Sequence, residues 1–188
     1  MPGIHTLALL GLAGWGGVHA VRRFHDGPLG PLPGGPLEAG PRVTDPDVDW
    51  DFAERTVLAE LELESTRVSR TTGILVHEGV LYVPCDLGFI WRRVDPRYRW
   101  FLGLVWRLKH WHEDALRDGR VVIRLAGKRF VRQAVRETDP DRLEALCIRS
   151  EAMAERFFQA PLADAAADPE AIWFFRLDPR PEAADADG

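Results

Sequence analysis

Four residues at one bend of the chain carry the chemistry of anion binding: Arg67, Arg70, Thr71 and Thr72, within Ser65-Thr-Arg-Val-Ser-Arg-Thr-Thr72. Guanidinium forks beside hydroxyls suit a phosphate, because each arginine presents paired N–H donors and each threonine adds one more. A second concentration lies in the connection from Cys85 to Trp111, where Trp91, Arg92, Arg93, Arg97, Trp100, Trp106 and Arg107 interleave cations with rings. That mixture has three uses. Tryptophan can stack on a planar cofactor while Arg92 and Arg93 hold its phosphate, the stretch can lie in a bilayer interface, or it can stack on single-stranded nucleic acid. No nucleic-acid partner is expected. Trp111 itself falls on an apolar stripe with Trp100, Leu104 and Leu108, so helical spacing makes it a core residue before a stacking platform.

Other combinations of reactive residues fail on spacing. In His110-Trp-His112-Glu113-Asp114 the two histidines point about 200° apart on a helix, while His110 and Asp114 share a face, so no metal site is expected. Aspartates alternate from Asp45 to Asp51, but a calcium loop starting at Asp45 needs glycine and glutamate where the chain has Trp50 and Thr56. That stretch reads as a polar turn with Trp50 and Phe52 docking on the core. Cys85 and Cys147 lack a CxxC spacing and a base at a recognisable distance, so both read as core thiols. The chain holds no P-loop, GxGxxG, HExxH or GxSxG, which excludes the hydrolase and dinucleotide classes those motifs mark.

The elements that would position these residues are clearest in Gly119 to Pro140. Val121, Ile123 and Leu125 alternate with Val122 and Arg124, the Ala126-Gly127 turn follows, and Val131, Gln133 and Val135 alternate with Phe130, Arg132 and Ala134. Period two on both sides of a turn predicts a hairpin. Asp139-Pro140-Asp141 then supplies an N-cap oxygen, a proline at the first helical position and a carboxylate near the positive end of the dipole, starting a helix over Asp139–Gln159. Upstream, Thr56–Leu63 alternates with Ala59, Leu61 and Leu63 inward and Glu60 and Glu62 outward. Thr71–His77 and Val80–Val83 flank Glu78-Gly79, a second hairpin turn. Pro96–Leu116 is predicted helical and Ala171–Leu177 is the last strand.

Composition places these elements in one core. The chain has 188 residues, 46% hydrophobic and 28% charged, with a net charge of -5. That charge is uneven: Arg67 to Asp139 holds 15 basic against 8 acidic residues, while residues 41–66 (2 against 8) and 140–188 (5 against 11) are acidic. A basic middle suits an anionic ligand or phospholipid headgroups, or arginines that solvate outer strand faces. Ile4 to Val21 is 18 residues without Lys, Arg, Asp or Glu, about 27 Å as a helix. It is expected to be a membrane anchor (residues 1–25), with Arg22-Arg23 on its cytoplasmic side. A cleaved signal peptide ending near Val18-His19-Ala20, or a helix of the soluble fold, are the alternatives. Residues 26–42, with five prolines and five glycines, can hold neither helix nor central strand and are expected as an extended stalk. The main domain spans residues 43–178, and residues 179–188 form an acidic tail expected to be disordered.

Three strands, a helix, a hairpin, a helix and a final strand is the order of the flavin-binding split β-barrel superfamily, which the chain resembles from about residue 56 to 177. Gly79-Val-Leu-Tyr-Val-Pro84 is similar to the strand that leaves that superfamily's "DG-x-LYV" turn. Trp111 ahead of Asp118-Gly-Arg-Val-Val-Ile-Arg-Leu-Ala-Gly-Lys-Arg-Phe130 is similar to the "W…P-x-V-x-V-x-x-G" stretch of deazaflavin-dependent nitroreductases. Where those enzymes carry an "SG-x-x-R" phosphate motif, this chain has Ser65 to Thr72 without the glycine. The apolar N-terminus, the DGPLGPLPGGPL stretch and the WFFRLDPR ending resemble a membrane-anchored branch with no assigned activity. The resemblance implies a six-stranded antiparallel split β-barrel with two packed helices behind an N-terminal transmembrane helix, and a homodimer with the cofactor cleft at its seam. It implies FMN or a deazaflavin near Arg67, Arg70, Thr71, Thr72, Arg92, Arg93 and Trp111, with haem a lesser expectation. The implied activity is reduction of a lipophilic substrate such as a quinone, and the alternative is a cofactor-free, membrane-tethered binding or scaffold domain.

Overall fold

Ala126 and Gly127 both have positive φ, 47° and 72°, the two-residue turn that matches strand twist. They join β6 (Arg120–Leu125) to β7 (Lys128–Arg136), with Leu125 opposite Lys128. The computed structural model describes residues 24–30, 32–86, 110–158 and 172–180. Around the hairpin stand β1 (Arg42–Val43), β2 (Leu58–Leu63), β3 (Val68–Gly73), β4 (Leu75–His77), β5 (Val80–Asp86) and β8 (Ile172–Pro179). Two helices, α1 (Trp111–Arg117) and α2 (Pro140–Phe158), complete the described elements. The strands run β3-β2-β6-β7-β8-β5-β4, antiparallel throughout, with β1 alone parallel, beside β7. Glu78 and Gly79, φ 51° and 73°, repeat the same turn between β4 and β5.

Eight strands are described where six were expected: β1 is an addition at the end of the expected stalk, and one expected strand is divided in two for a physical reason. Thr71–His77 was expected to be one strand, but its two halves pair with different neighbours, β3 with β2 and β4 with β5. Ile74, fully buried, is the single residue between them. Because β3 and β4 are also the two ends of the strand path, the sheet must curl until those ends meet at Ile74. This mainly antiparallel sheet with two helices is split-barrel-like. Its concave face holds one core, with Leu61, Leu63, Val83, Ile123, Phe130, Phe175 and Leu177. On the convex side α2 lays Leu143, Leu146 and Met153 on Leu75, Tyr82 and Phe174 of β4, β5 and β8. Asp139 caps α2 as its sequence implies, accepting the N–H of Arg142 at 3.0 Å.

The segment 26–42 differs most from its expectation. It forms neither helix nor central strand, as its composition requires, yet it is packed on the sheet where an extended stalk was expected. Asp26 accepts the N–H groups of Glu38 (2.7 Å) and Ala39 (3.2 Å), which closes residues 26–39 into a compact loop. Among the described residues no helix is long and apolar enough to cross a membrane. The run 4–21 lies outside the described residues, as do residues 181–188 and all of the expected helix Pro96–Leu116 before residue 110. In the described part of that range the helix α1 starts only at Trp111, with His110 outside it.

Candidate functional site

Strand alternation divides the residues expected to bind a phosphate. On β3, Arg70 lies opposite Leu61 and Thr72 opposite Ala59, so both belong to the concave face. Thr71 lies opposite Glu60 and belongs to the convex one. Arg67 is exposed in the β2–β3 turn with φ 51°. Arg92 and Arg93 lie outside the described residues. Among the described residues of the expected set, Arg70 and Trp111 come into contact. The Arg70 guanidinium stands over the Trp111 ring, 5.6 Å from its centroid. Trp111 is buried as its helical spacing predicted, and its ring packs at 5.2 Å on Phe175.

Sequence reading missed that this pair has a counterpart. The Arg136 guanidinium of β7 lies 3.9 Å from the centroid of Trp173, and the His112 ring meets Trp173 edge-on at 5.2 Å. Arginine on tryptophan is worth about 0.5–2 kcal/mol according to its desolvation. A third pair, Arg132 over Trp50 at 5.3 Å, is fully buried. Arg132 donates to the carbonyls of Val131 and Asp45, and burial pushes its pKa below the usual arginine value. Trp50 is buried on Phe130, as the reading of the aspartate-rich turn implied, whereas Phe52 stacks on the same ring but stays 48% exposed. His110 is exposed, 3.8 Å from Glu113, while His112 turns to Trp173, so the two histidines do point apart. Neither cysteine is in a disulfide; Cys85 is buried and Cys147 half-buried.

The convex face of β2, β3, β6 and β7 has the denser polar chemistry, and the loop 26–39 occupies it. Gly34 exchanges backbone hydrogen bonds with Ser69, at 2.9 and 3.2 Å. The hydroxyls of Ser69 and Thr71 donate to the carbonyls of Gly35 and Gly30. Leu37, 3% exposed, donates its N–H to Glu62 at 2.7 Å. Glu62 was expected to face outward and does, but the loop leaves it only 6% exposed. Burial raises its pKa, against the Leu37 N–H and Arg67. Arg124 spans two carboxylates, bonding Glu60 through Nε and both oxygens of Asp26 through Nη1 at 2.8 and 2.9 Å. Its pKa is raised, first by Glu60 and also by Asp26. Burial pushes Asp26 up, but the Glu38 N–H and Arg124 carry it below its ordinary value. Arg129 donates to the carbonyls of Leu37 and Gly40. Beside the loop remains an open groove of about 350 Å³ that includes Thr56, Glu60, Thr71, Arg124 and Gly127.

Alternation alone could have signalled this face, since Glu60, Glu62, Ser69, Thr71 and Arg124 all fall on it once β2 is aligned with β3 and β6. It could not have supplied Asp26, 98 residues from Arg124.

A solved structure of a candidate pyridoxamine 5'-phosphate oxidase from Listeria innocua is similar to this chain. The two share 16% identity with a TM-score of 0.39, over 68% of this chain and 87% of that one. No protein-family model and no curated protein matches the chain.

Proposed function

We propose that the chain is a split-barrel binding or scaffold domain, tethered to a membrane through residues 4–21 with its body on the cytoplasmic side, and that it works without a bound cofactor. The observation that carries this reading is the division of the expected phosphate cradle between two faces of β3. A phosphate reached by Thr71 cannot also be reached by Arg70 and Thr72, and the Thr71 hydroxyl already donates to Gly30. As a set, the described residues do not fit FMN or a deazaflavin. Pairing with a second copy, which the split-barrel resemblance implies, is part of the same proposal.

The reading this displaces is a flavin- or deazaflavin-dependent reductase of a lipophilic substrate such as a quinone. Absorbance of the purified full-length protein in the near-ultraviolet and blue, followed by titration with FMN and a deazaflavin, decides between them. A colourless protein that leaves both titrants unbound is the expected result. Saturable binding of either one overturns the proposal. Sedimentation that stays monomeric at rising concentration removes the second copy.

A further inference from the structure

The run 4–21 ends only a few residues before the loop that is fastened to the sheet. Between Val21 and Asp26 the chain can reach at most about 18 Å, whereas an undocked 26–42 would add about 60 Å. Two large apolar side chains stand on the exterior, Phe24 just before the loop, 84% exposed, and Leu32 within it, 55% exposed, with His25 and Glu38 exposed as well. Several of the loop's polar groups are turned to the sheet. Asp26 is matched by Arg124, Leu37 donates to Glu62, and the carbonyls of Gly30 and Gly35 take hydroxyls. Where the loop ends, Gly40 and Pro41 run beside Gly127 and Arg129, next to exposed Lys128, a cation suited to an anionic headgroup.

We infer that the loop 26–39 is a mounting surface that holds the domain flush against the lipid bilayer, with Phe24 and Leu32 entering the interface. This rests on the membrane-tether reading and adds what the tether leaves open: which side of the domain meets the lipid, and at what distance. Proline and glycine serve here to let fourteen residues follow the sheet closely, with backbone carbonyls at hand for Ser69, Thr71 and Arg129. The bilayer-distal side is then α2, which covers β4, β5 and β8 on the other flank of the curled sheet.

The test is fluorescence of full-length protein in phosphatidylcholine–phosphatidylglycerol vesicles. An environment-sensitive dye is placed at Leu32→Cys or, as the distal reference, at Ile148→Cys, which is 62% exposed on α2. Both positions are on the surface, so neither variant threatens the fold, and Cys147 is replaced by serine in each to keep labelling single. Nitroxide-bearing lipid is expected to quench position 32 several-fold more than position 148, with a blue shift at 32 alone. Equal, weak quenching at both positions in protein that floats with the vesicles overturns flush mounting and leaves the tether standing. Protein that does not float overturns the tether, and the mounting surface with it.

Discussion

At the scale of single residues, Glu62 and Arg124 behave differently under the loop because Arg124 bonds two carboxylates directly, whereas Glu62 has its cations only at a distance. Glu62 meets its loop partner, Leu37, through a backbone N–H, so its charge is compensated only at a distance by Arg67 and Arg129. Its folded pKa is raised from 4.5, chiefly by burial. Between 4.5 and the raised value the folded chain holds a proton that the unfolded chain has lost. The stability this contributes is full below 4.5 and disappears as pH rises through the folded pKa. Glu62→Gln keeps an acceptor for Leu37 without the buried charge. It should flatten that part of the pH profile in chemical denaturation and shift stability at neutral pH by less than about 1 kcal/mol. Glu62→Ala leaves the Leu37 N–H without its acceptor and should cost about 1–3 kcal/mol. Equal losses in both variants would show that Glu62 acts through its charge. Arg124 is the opposite case, held between Glu60 and Asp26. Arg124→Gln leaves the two carboxylates facing one another, and hydrogen exchange at Gly34 and Leu37 should then quicken while β6 and β7 stay protected. Unchanged exchange there would remove Arg124 as the fastener.

Among elements, the loop 26–39 is held chiefly by polar contacts, with Leu37 the one deeply buried large side chain among its described residues. Gly34 shows how tight the fit is. A Cβ on Gly34 would collide with the carbonyl of Gly27 and come within 2.8 Å of the Pro28 Cα, both backbone atoms that cannot rotate away. Gly34→Ala should therefore displace the loop and leave the sheet intact. The expected readout is native far-ultraviolet circular dichroism together with new protease cleavage between residues 26 and 42. A protected loop would contradict the geometry. The same element marks the limit of what sequence showed. Both two-residue turns, the inward faces of β2 and the Asp139 cap were legible, because each depends on residues close in sequence with one physical requirement. Proline and glycine content correctly excluded helix and central strand from 26–42. It says nothing about whether such a segment is solvated or docked, since docking depends on Ser69, Thr71, Glu62 and Arg124, which only the strand register assembles. The split at Ile74 was hidden for a related reason: an apolar run pairs equally well with either neighbour. Arg70 and Trp111 were each singled out, but their meeting, like that of Arg136 and Trp173, depends on tertiary packing.

For the whole molecule, the loop sets where the chain can be cut. If residues 1–25 are only an anchor, their removal should leave the sheet, its core and the loop unchanged, and the shortened protein should leave the membrane fraction. Removal of residues 1–40 is a different operation. It strips the cover from Glu62 and Ser69, withdraws Leu37 from its buried position, and frees the Ser69 backbone groups on β3, which becomes an open sheet edge. Burial of a leucine is worth about 2 kcal/mol. For a domain of this size each kcal/mol moves the midpoint by roughly 2–4 °C, so Leu37 alone accounts for a fall of roughly 4–8 °C. The freed edge predicts something further, because an unpaired strand is a template for another chain. Thermal unfolding and sedimentation of the two truncations should therefore separate clearly. The shorter deletion is expected to keep the full-length midpoint, and the longer one to melt lower and to associate with rising concentration. Equal midpoints would mean that the loop contributes nothing to the fold, in which case residues 26–42 act as a tether after all. A lower midpoint without new association would keep the loop as a stabilising cover and discard its role as guard of the β3 edge.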